Sequence, residues 1–432
     1  MKRTIEVNHL ARVEGHGGIV VELDGNEVSD VQFKIFEGAR LIERLLRGRS
    51  YGDVAQIVSR ICAICSVAHS LTSLKATEAA FGIRPSAQTQ GLRDLMYRGE
   101  SIESHALHLF LLALPDYLGY PSAAAMVEKH GDAVAIGLRL KKLGNAIQET
   151  LGGRAIHPVN AVLGGFGALP TTRQLVALKD ALEREREDCD RMIELLAGLP
   201  QEPFADADIA FAALRSSAWY GYYHGDLIDM LAAPTRQTFA AADYRAVATE
   251  EVVGHSHAKH SRFEGRPFMV GALARLAING DLLRGRAVEA MQQLELAAPF
   301  RNPMDNNKAQ AVELVNDVEA ALATVDELLH AGLADEEPPS IRPREGTGTA
   351  ITEAPRGLLI HSYTYDAGGH IVRADVITPT AINAASMEDH FRHAVARSKG
   401  GDDMARMLEM IARAYDPCIS CSVHVVRKDH VA

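Results

Sequence analysis

The spacing of apolar residues changes period along the chain. In residues 4–36 the runs TIEV, GIVVELDG and EVSDVQFKIF alternate or cluster β-branched residues, with Asp24, Gly25 and Asn26 as a turn, so the pattern predicts short strands. From about residue 37 it turns helical: ARLIERLLRGRS carries apolar residues at helical intervals and stops at Gly48. Helical spacing continues over 87–118, with Pro115 near the end of the run. TTRQLVALKDALEREREDCDRMIELLAGLP reads as a long amphipathic helix with a Thr cap and a Gly/Pro stop, and NKAQAVELVNDVEAALATVDELLHAGL as another. Residues 333–357 are rich in Pro and Gly and read as a connection. LLIHSYTYDAGGHIVRADVITPT then returns to strand, turn and strand. The expected fold is mainly α with small β elements near both termini, an α+β chain without internal repeats.

Composition narrows the function classes. The chain has 432 residues, 47% of them hydrophobic, enough for a large core. A net charge of −11 argues against nucleic acid as the main partner. No apolar run reaches the ~18 residues that would mark a membrane span. The N-terminus MKRTIEVNHLARVEGHGG is basic but lacks the apolar core of a signal peptide, so the expected location is cytoplasmic. Five cysteines in this length are no disulfide scaffold.

Four of those cysteines form two pairs. SRICAICSVAHS, residues 59–70, holds Cys62 and Cys65; YDPCISCSVHVV holds Cys418 and Cys421. Each CxxC can grip one metal ion. A thioredoxin-type pair would follow an early strand in a βαβ unit, which neither does. Structural zinc sites place both pairs within a few tens of residues, and these pairs stand at opposite ends of the chain. Meeting in space, they would make a four-thiolate site for zinc, copper(I), nickel or an iron–sulfur cluster. Arg60 and His69 flank the first pair; Asp416 and His424 flank the second. On the residues alone, a bimetallic or redox centre and a structural zinc are about equally supported.

Taken together, RICAICSVAH and DPCISCSVH resemble the large subunit of nickel–iron hydrogenases. The resemblance extends over nearly the whole chain through ARVEGHGG, GGRAIHPVNAVLGGF at 152–166, EAPRGLLIH at 353–361 and TPTAIN at 378–383. The C-terminal motif is most similar to the cytoplasmic, NADP-linked, sulfhydrogenase-type branch. The resemblance implies a single large-subunit domain over residues 1–424. It implies nickel held by Cys62, Cys65, Cys418 and Cys421, with Cys65 and Cys421 bridging to an iron that carries CO and cyanide. It implies reversible splitting of H2, with Cys418 or Arg356 taking the proton first and Glu14 carrying it outward. Because a guanidinium stays protonated, Cys418 to Glu14 is the preferred route, with Arg356 placing charge over the open metal position. Glu43 and His424 would hold a separate magnesium or iron ion. His69, Asp116, Pro355 and Asp416 would surround the site, orienting thiolates or shaping the pocket, and Ile64 would sit on the gas route. Ala63 and Ile382 depart from a glycine and a tryptophan common in the wider family, which leaves gas access and oxygen sensitivity open.

The resemblance also implies partners. An iron–sulfur cluster takes four cysteines as a rule, and the centre would leave only Cys189. Iron–sulfur clusters, FAD and NADP(H) or NAD(H) would therefore sit on other chains: an iron–sulfur small subunit and flavin and ferredoxin-like electron-transfer subunits. A maturation protease would cut between His424 and Val425 and remove residues 425–432, after nickel-insertion factors have acted. Rival readings are a quinone-linked complex I relative, against which all four cysteines argue, a structural zinc protein, and a slow hydrogen sensor. Two features remain outside this scheme. Cys189 on the long helix reads as a lone helical cysteine with no role. His255, His257 and His260 in GHSHAKHSRF could bind metal, but no nearby ligand in the sequence completes the set.

Overall fold

The structure is a computed structural model and describes residues 2–25, 27–38, 41–200, 204–216, 218–398 and 404–423. Among the described residues, three three-stranded antiparallel sheets and two two-stranded ones accompany a body of long helices. The first sheet pairs Lys2–Val7, Gly17–Asp24 and Glu27–Ile35 in sequence order, and its inward residues Ile19, Val21, Phe33 and Ile35 are buried. The second pairs Phe211–Leu214, Leu227–Ala232 and Thr235–Ala240. The third pairs Gly346–Ala354, Gly357–Tyr365 and Ile371–Ile377.

The third sheet corrects the reading of residues 333–357 as a connection. Residues 346–354, GTGTAITEA, form a nine-residue strand with its last five residues buried. Its Thr and Ile residues suit a pleated, buried surface, but Pro and Gly on both sides mask the alternation. The predicted helices are present. Thr172–Ala197 opens on Thr171 with a capping box to Gln174, and Asp305–Ala331 follows the predicted apolar spacing. The run over 87–118 is helical throughout, but between Ala87–Ala106 and Leu114–Leu118 it widens into a π-helical stretch, Leu107–Ala113.

Helix Ser66–Phe81 lies at the centre, buried on almost every side and packed against strands Gly346–Ala354 and Gly357–Tyr365. Several of its polar residues are paired inside. Glu78 meets Arg93 at 2.7 Å, with both side chains buried. A second buried network joins Arg275 to Glu313 at 2.7 Å and to Glu353 at 2.9 Å. Buried charges of this kind cost desolvation unless fully paired, so these networks fix how the helices dock. Among the described residues no helix is long and apolar enough to cross a membrane.

Candidate metal centre

Four sulfurs meet. Cys62 Sγ lies 3.2 Å from Cys418 Sγ, Cys65 Sγ 3.5 Å from Cys421 Sγ, and Cys418 Sγ 2.9 Å from Cys421 Sγ. The ligand atoms of all four residues lie within 4.8 Å of one another, and each residue is buried.

Local structure explains how each pair is aimed. The first CxxC is a turn between the helical turn Ser59–Ile61 and helix Ser66–Phe81. The Cys65 amide points back at Cys62 Sγ, 3.3 Å away. At the start of that helix the buried Glu100 carboxylate accepts the amides of Val67 at 2.6 Å and Ala68 at 3.0 Å, capping it from outside the element. The amide of His157, inside the GGRAIHPV motif, donates to Ser66 Oγ at 3.0 Å, and the His157 Nδ1 lies 2.9 Å from the Ser59 carbonyl. Glu100 and His157 thus hold both sides of the first pair.

The second CxxC is aimed by three contacts. The Cys418 amide donates to Thr380 Oγ1 at 2.9 Å, which gives the TPTAIN motif a role at the site. Asn383 of the same motif exchanges both of its amide hydrogen bonds with Val270, at 2.9 and 3.1 Å. The Ile419 amide donates to the Glu14 carbonyl at 2.9 Å, so the N-terminal segment runs beside Cys418 like a parallel strand. Gly15 makes this approach possible: with φ +88°, a Cβ there would meet Ile419 Cβ at 2.8 Å and the Ser420 nitrogen at 2.9 Å.

Two charged groups stand against the sulfurs. Glu14 Oε2 lies 3.2 Å from Cys418 Sγ and accepts the Ser420 amide at 3.0 Å, while Oε1 takes the Ser420 hydroxyl. Arg356 donates from Nε to the Asp416 carbonyl and from Nη2 to Asp416 Oδ1, each at 2.9 Å. Its Nη1 is buried without a hydrogen-bond partner among the described residues. Burial would pull the Arg356 pKa down, but Asp416 and then Cys418 and Cys62 outweigh it, and the group stays charged. Asp416, in the left-handed region with φ 51°, also accepts Gln310 Nε2 at 3.0 Å. Arg275 fixes the turn before Arg356 by donating to the carbonyls of Ala354 and Pro355, at 3.0 and 2.9 Å.

The thiols cannot all ionise on their own. Hydrogen bonds from Cys418 and its neighbours pull Cys62 well below the ordinary thiol value. Burial raises Cys418, and raises Cys421 to about 11. One negative charge is favoured and further charges need a cation among the sulfurs. Four convergent soft donors, with a charged guanidinium whose Nη1 has no partner, suit a soft, redox-active metal centre.

The remaining expected residues lie further out. His69 Nδ1 meets His361 Nε2 at 3.1 Å. The carboxylate of Asp116, expected to orient thiolates or line their cavity, is taken up by Arg413 at 2.6 and 2.9 Å and by Arg12. It ties the segment leading to Glu14 to the helix leading to Asp416. Glu43 Oε1 accepts the Val376 amide at 2.9 Å, and burial raises its pKa. Glu43 lines a cavity of about 700 Å³ together with Thr378, Ser420, Cys421 and Val423. His424 and Val425 lie outside the described residues. Ile64 is half-buried, Ala63 is exposed and Ile382 is fully buried. Glu100 and His157 were invisible to pattern reading as individual residues, because a buried capping carboxylate inside a helical run looks like any helix glutamate.

Comparison with known proteins agrees with this geometry. A family model described as nickel-dependent hydrogenase matches residues 40–146 and 206–424, and a HoxL-like model matches residues 4–37. Sulfhydrogenase 1 subunit alpha of Pyrococcus furiosus is 43% identical over 427 residues, covering 98% of both chains. Sulfhydrogenase 2 subunit alpha of the same organism is 38% identical, over 98% of this chain and 99% of its own. Among solved structures, an NAD+-reducing [NiFe]-hydrogenase in the H2-reduced state superposes with a TM-score of 0.86 at 25% identity, covering 98% of this chain and 99% of its own. With four converging thiolates and matches of this extent, the chain belongs to the nickel-dependent hydrogenase family and is a catalytic large subunit of a nickel–iron hydrogenase.

Proposed function

We propose that the chain carries out reversible H2 cleavage with Cys418 and Glu14 as its first proton acceptors. The observation that carries this reading is the 3.2 Å contact between Cys418 Sγ and Glu14 Oε2 at the edge of the sulfur cluster. Cys62, Cys65, Cys418 and Cys421 would together hold a nickel–iron centre whose iron carries CO and cyanide. Bound there, the nickel–iron centre supplies conversion of H2 into protons and electrons. Cys418 accepts a proton at Sγ, and Glu14 takes it from there at Oε2. Ser420, by donating to both Glu14 oxygens, holds that carboxylate in place. Arg356 keeps positive charge beside the sulfurs and, through Asp416, fixes the loop that presents Cys418.

Electrons leave through other chains. After the four thiols of the centre only Cys189 remains, buried on helix Thr172–Ala197, and one thiol cannot hold an iron–sulfur cluster. An iron–sulfur small subunit, then a flavin subunit reacting with NADP(H) or NAD(H), completes the path; the sulfhydrogenase relatives and the NAD+-reducing structure support this reading. Glu43 would contribute to a magnesium or iron site with His424, and removal of residues 425–432 by a protease would follow nickel insertion. Residues 1–424 would act as one cytoplasmic unit.

The test is an infrared spectrum of protein purified from its native host, with the mass of the same sample. Bands from iron-bound CO and cyanide support the centre. A chain trimmed at His424 that lacks those bands overturns it.

A further inference from the structure

The sequence leaves GHSHAKHSRF without a role, and the structure supplies the ligand that the sequence lacks. Glu388, from helix Pro379–Arg397, enters the space between His255 and His260. Its Oε1 lies 2.7 Å from His255 Nε2, and its Oε2 lies 3.5 Å from His260 Nδ1. The two imidazole rings meet edge to face, with centroids 5.5 Å apart and planes at 75°. One donor atom from each of the three residues lies within 4.8 Å of the others.

An ion pair between His255 and Glu388 accounts for only part of this. His260 is 1% exposed, and neither ring nitrogen has a hydrogen-bond partner among the described residues. A buried imidazole with two unsatisfied nitrogens needs a partner, and an ion is one of the few that would fit. Nearby groups are already engaged. The Phe33 amide donates to Glu388 Oε1 at 2.8 Å, and Ser256 Oγ accepts the Ile35 amide at 3.2 Å. His257 has its Nδ1 3.0 Å from the Glu37 carbonyl, outside the cluster.

We propose that His255, His260 and Glu388 form a divalent metal site whose chemistry suits zinc. Two imidazoles and a carboxylate are a zinc donor set, with ligand bonds of about 2.0–2.1 Å. Tetrahedral donors then stand roughly 3.3 Å apart. The His260–Glu388 contact, at 3.5 Å, already has about this spacing. His255 keeps 22% side-chain exposure, which leaves a way in and room for a water as fourth ligand. The ion would pin strand Glu27–Ile35, segment 255–260 and helix Pro379–Arg397 together. That helix also carries Thr380, which accepts the Cys418 amide, so the site would brace the scaffold of the sulfur centre without touching it.

The test adds zinc to the matured enzyme with its nickel and iron in place, removes excess by desalting, and measures zinc per chain and its X-ray absorption. The expected result is one zinc with nitrogen and oxygen donors only. His260→Gln and Glu388→Gln lose it, His257→Gln retains it, and zinc raises the unfolding temperature of wild type but not of His260→Gln. Retention of no zinc by wild type, sulfur coordination, or full retention by both His260→Gln and Glu388→Gln overturns the site. The donor type read from absorption keeps this result separate from any failure of the nickel–iron assignment.

Discussion

Glu14 and Cys418, 404 residues apart in sequence, share a 3.2 Å contact at the sulfur cluster, and the Glu14 backbone forms an isolated parallel bridge to the same residue. The side chain is held by the Ser420 amide as well as by the thiol. Glu14→Gln preserves an acceptor for that amide but removes a carboxylate able to relay a proton. Turnover of H2 with a dye acceptor should fall by about 10²–10⁴-fold, while nickel content stays at the wild-type level. Unchanged turnover would remove Glu14 from the proton route.

Each sulfur has at least one other sulfur within 3.5 Å. Loss of any one leaves an incomplete donor set. Cys65→Ala and Cys418→Ala should each contain no nickel by elemental analysis and show no H2 turnover. Normal nickel in either variant would contradict the ligand assignment.

Arg356 and Asp416 are both about 2% exposed. Breaking a buried pair on one side typically costs about 3–5 kcal/mol. Arg356→Leu should lower the unfolding free energy by about that amount in urea titration. Arg356→Lys keeps the charge but cannot donate to both the Asp416 carbonyl and carboxylate in the same fork geometry. It should be less destabilised and still slow in H2 turnover. Wild-type turnover in Arg356→Lys would mean that charge alone suffices.

Glu313 gives the fold an acid limit. Burial alone would raise its pKa, but Arg275 and His105 override burial and hold it at about 2. A carboxylate lowered in this way stabilises the fold above its unfolded value near 4.5, and that contribution fades as pH falls towards 2. The full effect is about 3 kcal/mol. Wild type should lose stability more steeply than Glu313→Gln between these limits, as followed by urea midpoints across that range. Equal slopes would place the acid sensitivity elsewhere.

How far the sequence predicts this molecule depends on the kind of signal. Two long helices, Thr172–Ala197 and Asp305–Ala331, declared themselves through apolar spacing and, at Thr171, through a Thr cap, whereas the 30-residue helix Ala123–Gly152 was not singled out. The two CxxC pairs and the short motifs around them located the sulfurs. What the pattern missed were residues defined by a distant partner. Glu100 caps a helix to which it does not belong, and Thr380 accepts an amide from Cys418. The arginine partners of Asp116, Arg12 and Arg413, come from opposite ends of the chain. Glu388 completes the histidine cluster from a helix more than a hundred residues away. Strand Gly346–Ala354 hid beneath the glycines and prolines on either side of it. Apart from that strand, each of these misses is a long-range pairing, which local periodicity does not encode.

The sulfurs of Cys62 and Cys418 touch across 356 residues of intervening chain. During synthesis the first pair emerges long before its counterparts and must wait for them. Most helices can dock before then, so a half-built vestibule with two thiols precedes the finished one. The centre therefore reports on how far the chain has been made: a polypeptide that stops short of Cys418 keeps much of its core and still lacks a place for the metals. Assembly of the reactive site is in this way deferred until Cys421 has been translated.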